Sequence, residues 1–412
     1  MIQRNPLWRT YRRILCAAVC VASLLLFFSA SVCAADGSDD REPLRFGMST
    51  ALTGPIADLG IEMHRGVLAA FAEANASGGV RGRKLELIVL DDGYEPSEAG
   101  PNVRRLIEVD QVLAIVGDVG TPTAIVAAPI ARRSGVPFIG ALTGAGVLRK
   151  TPPDRYVINF RASYAEETSA MVDALVAAGI PPNEIAFITQ RDAYGDAGFS
   201  GGSEALKRHG VAQEGKIAHG RYERNTMAVE GALADLILHQ PAPQAVILVG
   251  AYAPCAKLIR LAKECDFPTL FLSVSFVAPN SLAAALGDQA DGVVVSQIVP
   301  DVHGAAPINR QHRAALAQLK QHEAAPTPIS LEGYIVGRML LLALKRIPGE
   351  IDREAIVVAC EGLGSFDLGL GVPLRLSSDE HQASHAIWAS RIEGGEVKPM
   401  EWSDVRATRG KQ

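Results

Sequence analysis

Inside the body of the chain there is no block of lysine or arginine, and the 412 residues carry 40 basic against 45 acidic side chains, net −5. A nucleic-acid footprint needs a basic stripe, so no nucleic-acid partner is expected. Cysteine is scarce at six residues, which excludes a disulfide-stapled scaffold. Aromatics are 6% of the chain, with only eight tyrosines and three tryptophans. Beyond the first 35 residues no apolar run approaches the roughly 18 residues of a spanning helix. No Walker loop, Rossmann glycine fingerprint, Cys-x-x-Cys or His-Glu-x-x-His occurs, so no enzyme, cofactor or metal site is expected. What is present, 48% hydrophobic and 21% charged residues, is globular and long enough for two lobes.

The first 35 residues read as an export signal. Arg4, Arg9, Arg12 and Arg13 form a basic start, Ile14 to Ala30 an apolar run, and Ser31 to Ala35 a small-residue cleavage site. Its removal leaves 36 basic and 45 acidic residues, net −9, with Cys255, Cys265 and Cys360. The mature chain is then expected in the periplasm, not spanning a membrane, as a monomer. Cys255 and Cys265 fall on one expected helix about 15 Å apart, too far for a disulfide that needs about 7 Å, and read as buried small hydrophobes. Pairing of Cys360 with one of them is left open.

From Leu44 onward short apolar runs alternate with helical patterns. Strands are expected at 45–49, 85–90, 112–116, 138–139, 184–189, 213–217, 245–249, 270–272 and 293–296. Helices are expected near 62–77, 97–109, 122–133, 165–178, 199–209, 227–239 and 254–265. This alternation implies βαβ units and parallel sheets with helices on both faces. Ala114–Pro122 (AIVGDVGTP) is echoed by Val246–Pro254 (VILVGAYAP), and each is followed by a second proline, Pro137 and Pro268, opening the next strand. Such an echo suggests two similar lobes, with equivalent loops at the carboxyl ends of their strands lining a cleft.

The segments Arg45–Gly60 (RFGMSTALTGPIADLG), Gly78–Leu87 (GGVRGRKLEL) followed by Asp91 and Asp92, Asp192–Gly195 (DAYG) and Leu331–Tyr334 (LEGY) together resemble the leucine/isoleucine/valine-binding proteins. These are type I periplasmic solute-binding proteins of ABC importers. The likeness spans about Leu44 to Glu393. It implies an α/β fold of two doubly wound parallel-sheet lobes joined by three hinge crossings, near Phe160–Ser163, Ser296–Ile298 and Ser365–Leu368. Lobe 1 would be 44–161 with 297–365, lobe 2 would be 162–296 with 366–405, and 406–412 a tail. It also implies a ligand carboxylate held on the first lobe at Gly120, Thr121, Ala141 and Thr143. The loop before Pro122 is independently suited to an anion, because unpaired N–H groups and the helix dipole point there, although Thr121 could instead simply cap its helix. From the second lobe the resemblance brings Tyr194 and Tyr252, both expected on loops.

Two departures from the family pattern bear on specificity. Amino-acid binders of the family place an acid near Phe271–Ser275 to meet the α-ammonium; here Ser275 stands there. An uncompensated ammonium in a closed cleft costs about 2–5 kcal/mol, so a ligand lacking the α-amino group enters consideration, unless Asp118, Asp192 or Asp196 supplies the charge. Some relatives also carry a disulfide whose positions are here Tyr94 and Gly120. Leu59 and Tyr94 are candidates for apolar wall.

Other motifs carry no chemistry. Ser200 in a Gly-x-Ser-x-Gly match lies too far past its strand for a nucleophile elbow. His381 and His385 read as a solvated turn and Asp91–Asp92 as a strand end. The expected function is ligand capture by hinge closure and delivery to an inner-membrane ABC permease and ATPase; the alternative is a sensory receptor of the same fold.

Overall fold

The computed structural model describes residues 41–319 and 325–406; the expected export signal and most of the expected tail lie outside the described residues. In the first lobe, β1 (Leu44–Thr50), β2 (Leu85–Asp91), β3 (Ile115–Val116), β4 (Phe138–Ile139) and β5 (Val157–Ile158) form a wholly parallel sheet in the order β2-β1-β3-β4-β5. They alternate with α1 (Ala57–Ala76), α2 (Pro96–Glu108) and α3 (Thr121–Arg133). The chain then enters the second lobe through α4 (Tyr164–Ala177), whose start is closed by a Ser163–Glu166 capping box.

The second lobe repeats the plan. β6 (Ile185–Gln190), α5 (Ala193–Arg208), β7 (His219–Tyr222), α6 (Glu230–Ile237), β8 (Ala245–Val249), α7 (Tyr252–Glu264), β9 (Leu270–Ser273), α8 (Pro279–Leu286) and β10 (Val294–Gln297) build a parallel block ordered β7-β6-β8-β9-β10. That order matches the first sheet strand for strand, so the echo at the Val-Gly loops marks a true duplication of topology. Both lobes place a switch point, and hence a crevice, at the carboxyl ends of their first and third strands. Two antiparallel strands, β13 (Trp388–Glu393) and β14 (Glu396–Met400), complete the second sheet beside β10.

Between β10 and β13 lie α9 (Pro307–Gln318), α10 (Pro328–Arg346), α11 (Arg353–Glu361) and a small hairpin, β11 (Gly364–Phe366) with β12 (Leu374–Leu376). α9 and α10 pack on α1, which assigns this excursion to the first lobe. The α1–α10 contact is close enough to demand glycine. A Cβ at Gly66 would stand 2.1 Å from the Ser330 carbonyl oxygen, and one at Gly333 2.4 Å from that of Met63.

Several local expectations need correction. Residues 213–217 form a 3₁₀ turn, Glu214–Lys216, with the strand starting only at His219. α5 starts at Ala193, six residues before the expected start, because the Asp192 carboxylate accepts the N–H groups of Tyr194 and Gly195. Tyr194 and Tyr252 therefore open helices instead of lying on loops. Cys255 and Cys360 are buried but Cys265 is exposed, since it is the C-cap of α7; all three thiols are free. The third crossing falls later than Ser365–Leu368. The Asn159 N–H donates to His381 and the Ala383 and Ser384 N–H groups to Asn159 and Phe160, so the chain leaving β12 runs beside the first crossing before joining the second sheet at Trp388.

Candidate functional site

Loops after β3 and β4 continue the pairing of their strands. Val119 bridges Leu142, the Leu142 N–H donates to Asp118 at 2.8 Å, and the Gly120 N–H donates to Leu142 at 3.2 Å. This register sets Thr121 beside Thr143 with their hydroxyls 2.6 Å apart, both buried. Gly120, not Thr121, is the N-cap of α3, so the Thr121 hydroxyl is not spent on capping. The Gly120 N–H is already committed to Leu142; what Gly120 contributes is backbone freedom at φ 102° and room. Ala141 is buried and its carbonyl accepts the Thr143 N–H at 2.8 Å.

An aromatic cluster faces this hydroxyl pair. Tyr194 packs 5.1 Å from Tyr164 and 4.7 Å from Phe276, and Tyr94 reaches across from the first lobe to Phe276 at 6.3 Å. All four rings are fully buried. The Tyr164 hydroxyl is turned toward Thr143 without reaching hydrogen-bond geometry, and burial pushes its pKa up to about 12. The Tyr194 hydroxyl lies 3.5 Å from the Gly250 carbonyl, too long for a strong bond. From the side, a cavity of about 770 Å³ reaches Thr121 between Ile125 and Val147 of the first lobe and Ala193 and Ala197 of the second.

Behind the rings is a fully buried ionic cluster at the crossings. Arg161 lies 3.3 Å from Glu167 and 3.6 Å from Glu332 and donates to the Ser275 hydroxyl. Burial opposes its charge, but Glu332 and Glu167 outweigh burial and hold its pKa above the ordinary value. Burial lifts Glu332 to about 7, against the pull of Arg161. Glu167 also accepts the Ser275 N–H at 2.7 Å and the Ser296 hydroxyl. An arginine with two acids around it, drawn from the first crossing, α4 and α10, has no local sequence signature.

The acids considered as substitutes near Ser275 are engaged elsewhere. Asp118 accepts the Ser49 N–H at 3.0 Å inside the first lobe, and burial raises its pKa. Asp192 caps α5, and Asp196 pairs with Arg221. Tyr252 is half-buried at the cleft rim and turned toward Asp58 of α1; burial and then that carboxylate raise its pKa. Asp58 also accepts from Ser281 at 2.7 Å, and Glu95 accepts from Arg224 at 2.7 Å and Asn225 at 2.5 Å, so the two lobes are tied at the mouth. Leu59 and Tyr94 are both buried in the core, Tyr94 with its ring 6.3 Å from that of Phe276 in the second lobe.

Other candidates disperse. Ser200 sits inside α5. His381 is buried with Nδ1 2.9 Å from the Val157 carbonyl, while His385 is exposed and pairs with Glu166 at 2.6 Å. Asp92 is buried, contrary to a plain strand end, accepting the Ser49 hydroxyl at 2.7 Å; burial lifts its pKa to about 6. Among the described residues no helix is long and apolar enough to cross a membrane.

Residues 43–396 match the sequence profile of a family described as periplasmic binding protein. The chain belongs to the periplasmic binding protein family. A possible leucine/isoleucine/valine-binding protein from Rhodopirellula baltica SH 1 shares 52% identity, with 89% of this chain and 98% of that one covered and a TM-score of 0.86. A Leu/Ile/Val-binding protein homolog 7 from Brucella abortus (strain 2308) is 24% identical, covering 92% of this chain and 94% of its own. The Leu/Ile/Val-binding protein of Escherichia coli (strain K12) is 22% identical over 68% of this chain and 74% of its own. This binding protein therefore has the type I fold of two doubly wound lobes with three crossings, and its relatives are solute-binding proteins, not enzymes.

Proposed function

We propose that this binding protein captures a small organic carboxylate between its lobes in the periplasm and delivers it to an inner-membrane ABC permease and ATPase. The relatives named above as leucine/isoleucine/valine-binding proteins support that size class of ligand. One observation carries the reading. The Thr121 and Thr143 hydroxyls meet at the amino end of α3, opposite Tyr194 from the other lobe. Helix N-termini favour anions, and a charge-assisted hydrogen bond to a carboxylate contributes about 1.5–3 kcal/mol. Tyr194 and the aromatic wall would close over the ligand body, and the rim contacts of Asp58 and Glu95 would hold the closed state. The export signal in residues 1–35 is consistent with this location.

Mass spectrometry of the small molecule that co-purifies is the direct test. Thr121→Ala combined with Tyr194→Ala should abolish binding of that molecule while circular dichroism shows a folded protein. Unchanged affinity would overturn the cleft assignment. Uptake in reconstituted permease vesicles, dependent on ATP and on this protein, separates transport from sensing.

A further inference from the structure

Resting on this cleft reading, we infer that the ligand is a carboxylate carrying no ammonium at its α-position, and that the Arg161–Ser275 pair is the determinant that selects it. Ser275 occupies the place where an acid would meet an α-ammonium. The structure puts a cation there: the Arg161 guanidinium, wholly buried, donates to the Ser275 hydroxyl. Its carbon lies 5.7 Å from the centre of the Tyr164 ring, and Tyr164 is the ring turned toward Thr143. Arg161, Tyr164 and Thr143 thus follow one another in a buried row, with Thr121 beside Thr143. Arg161 Nε and the Tyr164 hydroxyl have no hydrogen-bond acceptor among the described residues, and Arg161 Nη1 has only the Glu332 carboxylate at 3.6 Å. Donors of this kind, wholly buried, call for an acceptor.

The neighbouring acids do not reverse the sign. Glu167 is spent on the Ser275 N–H, the Ser296 hydroxyl and Arg161 itself. Glu332 is paired with Arg161 at 3.6 Å, interacts also with Arg149, and burial favours its proton. Arg161, by contrast, interacts with both Tyr164 and Tyr194 of the cleft. A ligand with its carboxylate at Thr121 and Thr143 would therefore point its α-carbon toward guanidinium donors. Hydrogen there is tolerated, and a keto or hydroxyl oxygen is an acceptor for them. An ammonium is repelled by the guanidinium, and the nearest acids, Glu167 and Glu332, are paired with Arg161, with only Glu332 Oε1 left without a hydrogen-bond partner. The rings of Tyr94, Tyr194 and Phe276 suit an apolar or aromatic body.

Isothermal titration of the dialysed full-length mature protein with three ligands of one carbon skeleton tests this. 4-Methylpentanoate, 4-methyl-2-oxopentanoate and leucine differ only at the α-position, and 3-methylbutylamine lacks the carboxylate. The two ammonium-free acids should bind about tenfold or more tighter than leucine, a difference of about 1.4 kcal/mol per decade, and the amine should not bind. Ser275→Glu should move the preference toward leucine. If that variant does not fold, the wild-type ranking alone decides. Leucine binding as well as or better than the acids overturns the inference and leaves ligand capture in the cleft standing. Loss of that leucine binding in Glu332→Gln would then name Glu332 as the ammonium partner. Flat titrations for all four, with the co-purifying molecule unaffected by Thr121→Ala, overturn both.

Discussion

Tyr94 lies directly over Gly120: a Cβ added at Gly120 would stand 2.2 Å from Cε2 of the ring. The family resemblance implies a disulfide between these two positions in some relatives; here an aromatic ring is packed on a glycine. Tyr94 holds a left-handed backbone, φ 64°, and its hydroxyl accepts the side-chain amide N–H of Gln190 of the second lobe at 3.2 Å. Gly120→Ala meets both the ring and an unfavourable φ of 102°. The expected cost is about 2–4 kcal/mol, from strain together with overpacking. Calorimetric unfolding should show a lower Tm, and ligand affinity should fall with it. Tyr94→Ala added to Gly120→Ala should recover part of the Tm by removing the clash, but not the strain. A Gly120→Ala protein with wild-type Tm would show that the loops move apart freely.

The rim contacts predict a kinetic effect. Glu95 and Arg224 are partly exposed, at 41% and 24%, so their pair at 2.7 Å is screened by solvent. Exposed pairs contribute about 0.2–1 kcal/mol, and Glu95→Ala should weaken binding about two- to fivefold. Stopped-flow measurements should place that change in the dissociation rate, since the contact forms on closure, and the ranking of ligands should be unaltered. Tyr252→Phe should behave in the same mild way if Tyr252 serves Asp58 at the rim; a loss of a hundredfold or so would make it a ligand contact instead.

His312 gives a pH prediction. It is buried on α9 with its ring 5.4 Å from that of Tyr334, and burial, helped by Arg65 and Arg313, lowers its pKa to about 3. The unfolded chain takes up a proton near the ordinary histidine value while the folded protein does not. The stability it confers is therefore full above about pH 6.5 and is lost progressively as pH falls toward 3. His219, lowered to about 4 chiefly by burial, acts in the same direction. Asp92, raised to about 6, acts oppositely: its contribution is full below the ordinary aspartate value and is lost as pH rises through 6. His312→Phe should lose less Tm between about pH 7 and pH 4 than the wild type. Parallel curves would show that His312 is protonated in the folded state.

Residue order alone sufficed for the βαβ rhythm, the duplicated Val-Gly loops and the position of Thr121 at a helix start. Those features rest on periodicity and on proline and glycine acting within a few residues. The family resemblance points to Gly120 and Thr143 as ligand residues, but only the fold shows that the two threonine hydroxyls meet and that the Gly120 N–H is spent on Leu142. α5 starts earlier than its apolar pattern predicts because a single Asp192 cap outweighs that pattern. Nothing in the residue order marks Tyr164 or Phe276, or joins Tyr94 to them, because their rings meet only once the lobes are opposed. The charge at the Ser275 site depended wholly on tertiary structure. Arg161 and Ser275 are 114 residues apart, and Glu332 comes from a helix of the other lobe. Whether a buried serine presents a neutral or a cationic wall is set by which side chains fold behind it, since electrostatic interactions are strongest where water is excluded.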